Sequence, residues 1–206
     1  MLTALSILAA IVLAYLLGSV PFAVVSSRLF GLADPRSYGS KNPGATNVLR
    51  SGNKKAAIVT LIGDLAKGWL AVFLAQTFGP HFGLGSGTVT LVALGVFFGH
   101  LFPVFLKFRG GKGVATAAGV LLALDPWLGL AVLGVWILIA YTLRYSSLSA
   151  LVAAATAPLI AFLLWGRDPQ LAAVAIIAMA LIAKHWPNLQ RLMAGSEPKI
   201  GGKKKA

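Results

Sequence analysis

Apolar residues fall in long runs separated by short polar connectors, and the runs set the expected elements. Ala4 to Val25 is almost unbroken apolar sequence. As a helix it is long enough to cross a hydrocarbon core about 30 Å thick at about 1.5 Å rise per residue. Further apolar runs cover Ala56 to Thr77, Thr88 to Leu106, Trp127 to Leu143, Leu148 to Trp165 and Gln170 to Ala183. Val114 to Leu124 is apolar but reaches only roughly 16 Å as a helix, and Asp125-Pro126 turns the chain directly after it. We read it as an oblique crossing and not as a re-entrant loop. The expected fold is all-α, with seven transmembrane helices in one domain over residues 1–206. No internal repeat is evident, and no stretch is left over for a separate soluble domain. The first run lacks a basic leader and has no A-x-A-like cleavage site before Gly18, so it reads as a spanning helix and not a signal peptide.

Composition narrows the class further. Hydrophobic residues make up 58% of the 206 positions and charged residues only 11%, against about 25% in a soluble domain; mean hydropathy is +0.84. With no cysteine, disulfides, thiolate nucleophiles, acyl-cysteine intermediates and Cys-ligated zinc are all excluded. A net charge of +13 would point to nucleic acid in a soluble protein. In a membrane protein it places cationic loops beside anionic headgroups, and no nucleic-acid partner is expected. Sixteen of the 18 Lys and Arg residues fall in one alternating set of connectors, Arg167 alone falls in the other, and Lys67 lies inside a span. By the positive-inside rule the rich side is cytoplasmic. The N-terminus is then outside and the C-terminus inside, which requires an odd number of spans and so includes the short fourth one.

The polar connectors carry the candidate chemistry. Gly39-Ser40-Lys41-Asn42-Pro43-Gly44-Ala45-Thr46-Asn47-Val48-Leu49-Arg50 combines small residues that uncover backbone N–H groups with short hydrogen-bonding side chains and two cations. That make-up suits a phosphate ester, although a solvated connector favours the same residues. Lys107-Phe108-Arg109-Gly110-Gly111-Lys112-Gly113 is a second basic, Gly-rich loop. A third segment runs from Lys184-His185-Trp186-Pro187-Asn188 to Glu197. Expected cytoplasmic active-site segments are thus about 28–55, 107–113, 144–149 and 184–206, with the separated connectors meeting at the inner leaflet. The second loop is not a P-loop, since Leu106 and Gly113 stand where Gly and Ser or Thr are required. No His is followed five residues later by Asp, because Ser86, Phe105 and Gln190 occupy those places; a His-Asp couple acting as base is unsupported. No metal-ligating pattern or cofactor motif appears. Asp64 and Lys67, three apart on one helical face, read as a structural ion pair remote from the loops. His100 reads as an interfacial histidine within reach of the site.

Those three motifs, in that order and spacing, resemble the bacterial integral-membrane acyl-phosphate:glycerol-3-phosphate acyltransferases, the Y-type glycerol-3-phosphate acyltransferases. The resemblance runs over essentially the whole chain and departs at Trp186 and Pro187, where polar residues are usual. It implies acyl transfer from a fatty acyl phosphate to glycerol 3-phosphate, giving lysophosphatidate and phosphate, in phospholipid synthesis at the bacterial inner membrane. It also implies a lipid bilayer around the protein and a soluble enzyme that makes the acyl phosphate. Catalytic roles fall on His185, Ser40, Lys112, Arg50 and Asn188. Substrate contacts fall on Gly39, Asn42, Gly44, Thr46, Asn47, Gly110, Gly111, Gly113, Thr116, Ser147, Ser149 and Glu197. His185 is the side-chain candidate for general base; deprotonation by a substrate phosphate oxygen, with His185 and Asn188 orienting the acceptor, is the preferred alternative. Ser147 and Ser149 read equally as helix caps, and an acyl-Ser40 intermediate lacks a neighbouring activator. The rival class is a transporter of a phosphorylated solute. Short outer loops with almost no charge speak against it.

Overall fold

The structure, a computed structural model, describes residues 2–201. The terminal Lys203, Lys204 and Lys205, counted above with the cytoplasmic set, lie outside the described residues. All regular structure among those residues is helical. The expected first span is broken: α1 (Leu2–Ser19) and α2 (Phe22–Leu29) meet at 41°. Pro21 causes the break, because it has no N–H to donate and its ring collides with the preceding turn. After it come the short α3 (Ala45–Leu49), then α4 (Lys54–Phe78) and α5 (Ser86–Leu101). Asn53 caps α4 through its side chain, which accepts from the Ala56 N–H. The expected third span stops at Leu101. Pro103 and a single 3-10 turn, Val104–Leu106, follow. Lys107 and Phe108 then both take left-handed backbone, with φ of 51° and 61°, a conformation that costs an L-residue roughly 1–2 kcal/mol. This reversal carries the chain back, so that the Gly111 N–H donates to the carbonyl of His100 at 3.2 Å.

Helices α6 (Val114–Leu124), α7 (Pro126–Leu143), α8 (Ser146–Trp165), α9 (Gln170–Lys184) and α10 (Trp186–Met193) complete the chain. Four helices are long and apolar enough to cross a membrane, and up to six if each bent pair, α1 with α2 and α9 with α10, counts as one span; α6 is apolar but shorter. On α7 only 17% of the apolar window is buried within the protein, and Trp127 and Tyr141 lie on its exposed surface. An apolar exterior of that kind is stable against lipid and not against water.

The chain divides into two compact units, Met1–Gly129 and Leu130–Ala206. In the first, α4 packs on α6 and α1 on α5. Glycines set the approach. A Cβ at Gly68 would overlap the Thr116 carbonyl, one at Gly119 the Leu65 carbonyl, and one at Gly99 the Tyr15 carbonyl. Small residues at helix interfaces let backbones come this close, and van der Waals packing then holds the helices in lipid. Phe97, Leu101, Val96 and Val120 fill the core between them. In the second unit α8 packs on α9 through buried Ala153, Ala157, Ala161, Ala173 and Ile177, and α10 touches both.

Candidate functional site

The first loop is built around one side chain. Asn47, buried in α3, donates from Nδ2 to the carbonyls of Pro35 at 2.6 Å and Tyr38 at 3.2 Å. Its Oδ1 accepts the Ser40 N–H at 2.9 Å. An amide has two donors and an oxygen acceptor, so one residue pins the loop at three points. Gly39 at φ 59° and Lys41 at φ 56° are both left-handed, and a Cβ at Gly39 would strike Asn47 Oδ1. Ser40, Thr46 and Arg50 are left on the exposed surface of this rigid turn, while Asn42 and Gly44 are half-buried. Asn47 thus frames the loop. Arg36 forks Asp34, with its closest contact at 2.7 Å, and the hydrogen bond from Arg36 leads the effects holding the Asp34 carboxyl below its usual range.

Gly110, Gly111, Lys112 and Gly113 lead into the N-terminus of α6. Gly113 has φ 83°, and a Cβ there would meet the Phe97 and Leu101 side chains. A Cβ on Gly111 would overlap His100 Nε2 and approach the Pro43 carbonyl. The second loop therefore lies between the end of α5 and the first loop. Gly110, Gly111 and Pro43 line one small cavity together with Asp64, Lys67 and His100. This corrects the sequence reading that set the ion pair apart from the loops. Lys67 Nζ is 2.8 Å from Asp64 Oδ1 and donates to the Val20 carbonyl, at the α1–α2 break, at 2.8 Å. His100 Nδ1 lies 3.4 Å from Asp64 Oδ1 and 3.2 Å from Thr116 Oγ1. Thr116, expected to touch substrate, is fully buried in this cluster.

In the second unit Glu197 is the hub. Its Oε1 accepts from Ser147 Oγ at 2.6 Å and Asn188 Nδ2 at 2.7 Å, and its Oε2 accepts from Arg191 Nε at 2.7 Å. Burial pushes this carboxyl up, yet the three hydrogen bonds together outweigh it and hold Glu197 below the usual range. His185 is buried, and its Nδ1 stands 2.8 Å from the Leu181 carbonyl. A carbonyl only accepts, so Nδ1 carries the hydrogen, and in the neutral ring Nε2 is then the acceptor nitrogen. Ser149 bonds back to the Tyr145 carbonyl at 2.8 Å and is buried, and neither it nor Ser147 caps α8. The unusual Pro187 falls in the first turn of α10, where no N–H is needed. His185 closes α9 and opens α10, a 57° bend, and its carbonyl accepts the Asn188 N–H at 2.8 Å. Sequence reasoning noticed Asp64 and Lys67 as a structural ion pair and His100 as an interfacial histidine within reach of the site, from the signal of ionisable residues at membrane depth, but did not join the three.

Comparison with known proteins identifies the family and the fold. A family model described as glycerol-3-phosphate acyltransferase matches residues 8–195. The chain is 68% identical to a glycerol-3-phosphate acyltransferase of Dechloromonas aromatica (strain RCB) over 197 residues, covering 96% of this chain and 98% of that one. It is 62% identical to one of Ralstonia nicotianae over 194 residues, with 94% of each chain covered. Among solved structures it superposes on PlsY (YgiH), an integral membrane glycerol 3-phosphate acyltransferase, in its glycerol 3-phosphate form. That match has TM-score 0.88 and 38% identity, covering 95% of this chain and 96% of that one. The lysophosphatidic acid form of the same protein matches with TM-score 0.85 and 37% identity, covering 94% and 95%.

Proposed function

The chain belongs to the glycerol-3-phosphate acyltransferase family and is a membrane acyltransferase, and from that premise we propose that its donor is a fatty acyl phosphate and its acceptor glycerol 3-phosphate. A hydroxyl oxygen of glycerol 3-phosphate attacks the acyl carbon, the bond from that carbon to the phosphate oxygen breaks, and lysophosphatidate and inorganic phosphate leave. The observation that carries this reading is the pair of basic, Gly-rich loops lining one cavity in the first unit. An activated acyl phosphate needs mainly positioning and charge neutralisation, and the loops are made for that. Arg50 and Lys112 hold phosphates. Ser40, Thr46 and the backbone of 39–44 and 110–113 complete the polar contacts, and the start of α6 adds N–H donors with a favourable dipole.

His185 Nε2 accepts a hydrogen bond from the acceptor hydroxyl and orients it. The proton itself passes to a substrate phosphate oxygen. Glu197 is committed to Ser147, Asn188 and Arg191, and the contact at His185 Nδ1 is the Leu181 carbonyl, a weak partner for an imidazolium. The acyl tail lies in the bilayer. Seven crossings, an outer N-terminus and a cytoplasmic face for both loops complete the proposal, supported by the distribution of Lys and Arg. On this reading the protein sits in a bacterial inner membrane and opens phospholipid synthesis, drawing acyl phosphate from a soluble enzyme. The test offers purified protein in vesicles radiolabelled glycerol 3-phosphate with acyl phosphate, acyl-CoA or acyl carrier protein as donor. Lysophosphatidate forming with acyl phosphate alone is expected. Equal rates with acyl-CoA, or transport of glycerol 3-phosphate without acylation, would overturn the proposal.

A further inference from the structure

Ionisable side chains at membrane depth are costly unless they pair and serve a purpose, and the first unit buries three, Asp64, Lys67 and His100, around its cavity. Helix packing does not require them, because Gly68, Gly99 and Gly119 already make the close approaches of α4 to α6 and of α1 to α5. Their contacts end instead on breaks and loop ends. Lys67 donates to the Val20 carbonyl at the α1–α2 break. Asp64 faces both Lys67 and His100. His100 then meets α6 and its entry loop three ways: Nδ1 beside Thr116 Oγ1 at 3.2 Å, its carbonyl under the Gly111 N–H at 3.2 Å, and its ring against the Gly111 Cα. The Pro43 carbonyl closes on Gly111 as well.

We propose that Asp64, Lys67 and His100 are positioning residues for acyl transfer, a buried ionic wedge that seats Gly110–Gly113 against the first loop and so sets where Lys112 stands. In this role they act through the loop that they seat. The inference rests on the reading that Lys112 and this loop hold a phosphate. Gly111 is the contact through which the wedge acts, and only a residue without Cβ leaves room for the His100 ring.

The experiment uses the full chain in vesicles, with steady-state kinetics in each phosphorylated substrate and thermal unfolding alongside. His100→Ala is expected to lower kcat/KM by on the order of 100-fold, the scale of a misplacement of about 1 Å, with the unfolding transition retained. The loss falls on the same substrate that Lys112→Ala affects, whereas a merely structural role lowers both alike. His100→Asn, which restores a nitrogen near the Nδ1 position, recovers part of it. Gly111→Ala is harmful alone, and in the His100→Ala background it adds little, since contacting residues couple. Should His100→Ala fail to fold, Thr116→Val and Gly111→Ala carry the same selective signature. Additive losses, equal losses for both substrates, or wild-type kinetics in His100→Ala beside a dead Lys112→Ala would overturn this inference alone. Wild-type kinetics in Lys112→Ala would instead overturn the phosphate-loop reading beneath it.

Discussion

At the scale of residues, the state of His185 decides how the proton leaves the acceptor. Its Nδ1–H points to the Leu181 carbonyl, which fixes the ring and leaves Nε2 as the acceptor in the neutral form. A general base typically contributes about 10²- to 10⁴-fold, and a carboxylate partner would be expected to support it. Glu197, the carboxylate nearest to His185 along the chain, bonds to Ser147, Asn188 and Arg191. His185→Gln, which keeps a hydrogen-bonding side chain but cannot serve as base, is therefore expected to hold kcat within about tenfold of wild type, less than a general base is usually worth. A loss reaching the upper part of the general-base range would assign the proton to the imidazole. Asn47 teaches a different lesson. Its type and place suggested a ligand contact, and both its N–H donors and one acceptor position of Oδ1 go into folding the loop.

Among elements, the apolar runs were readable because polar connectors bound them, and the ends of α6 to α9 fall within two residues of the pattern. The breaks were harder. Pro21 sits inside an apolar run that hydropathy counts as continuous, yet α1 and α2 part there. Helix α10 escaped notice because it is polar and eight residues long, with no spanning signature. The carboxylate of Glu197 ties α8 to α10 through Ser147, Asn188 and Arg191, and its folded-state pKa is lowered. A lowered carboxylate pKa contributes stability that is complete above the unfolded value, about 4.3 for Glu, and is lost as pH falls through the folded value. Wild type should therefore unfold at a higher temperature than Glu197→Gln at neutral pH, and the gap should close in acid. A gap independent of pH would show that the ionised form contributes nothing.

For the molecule as a whole, class and family were legible in the sequence: an all-helical membrane acyltransferase whose two Gly-rich loops are both present and both cationic. What the linear pattern hid was depth and proximity. Helical spacing showed that Asp64 and Lys67 share a face, but not that the Pro21 break and the reversal at Lys107–Phe108 bring Val20 and Gly111 to them. Those are tertiary consequences of two local backbone departures, and no period in the sequence encodes them. The account turns on Arg50 and Lys112 neutralising the phosphates of the two reactants. Steady-state kinetics of Arg50→Ala and Lys112→Ala, each in both substrates, test it most directly. Each variant should lose at least about 100-fold in kcat/KM for one phosphorylated substrate, as the loss of a charge-stabilising donor does; wild-type values for both substrates in both variants would contradict it.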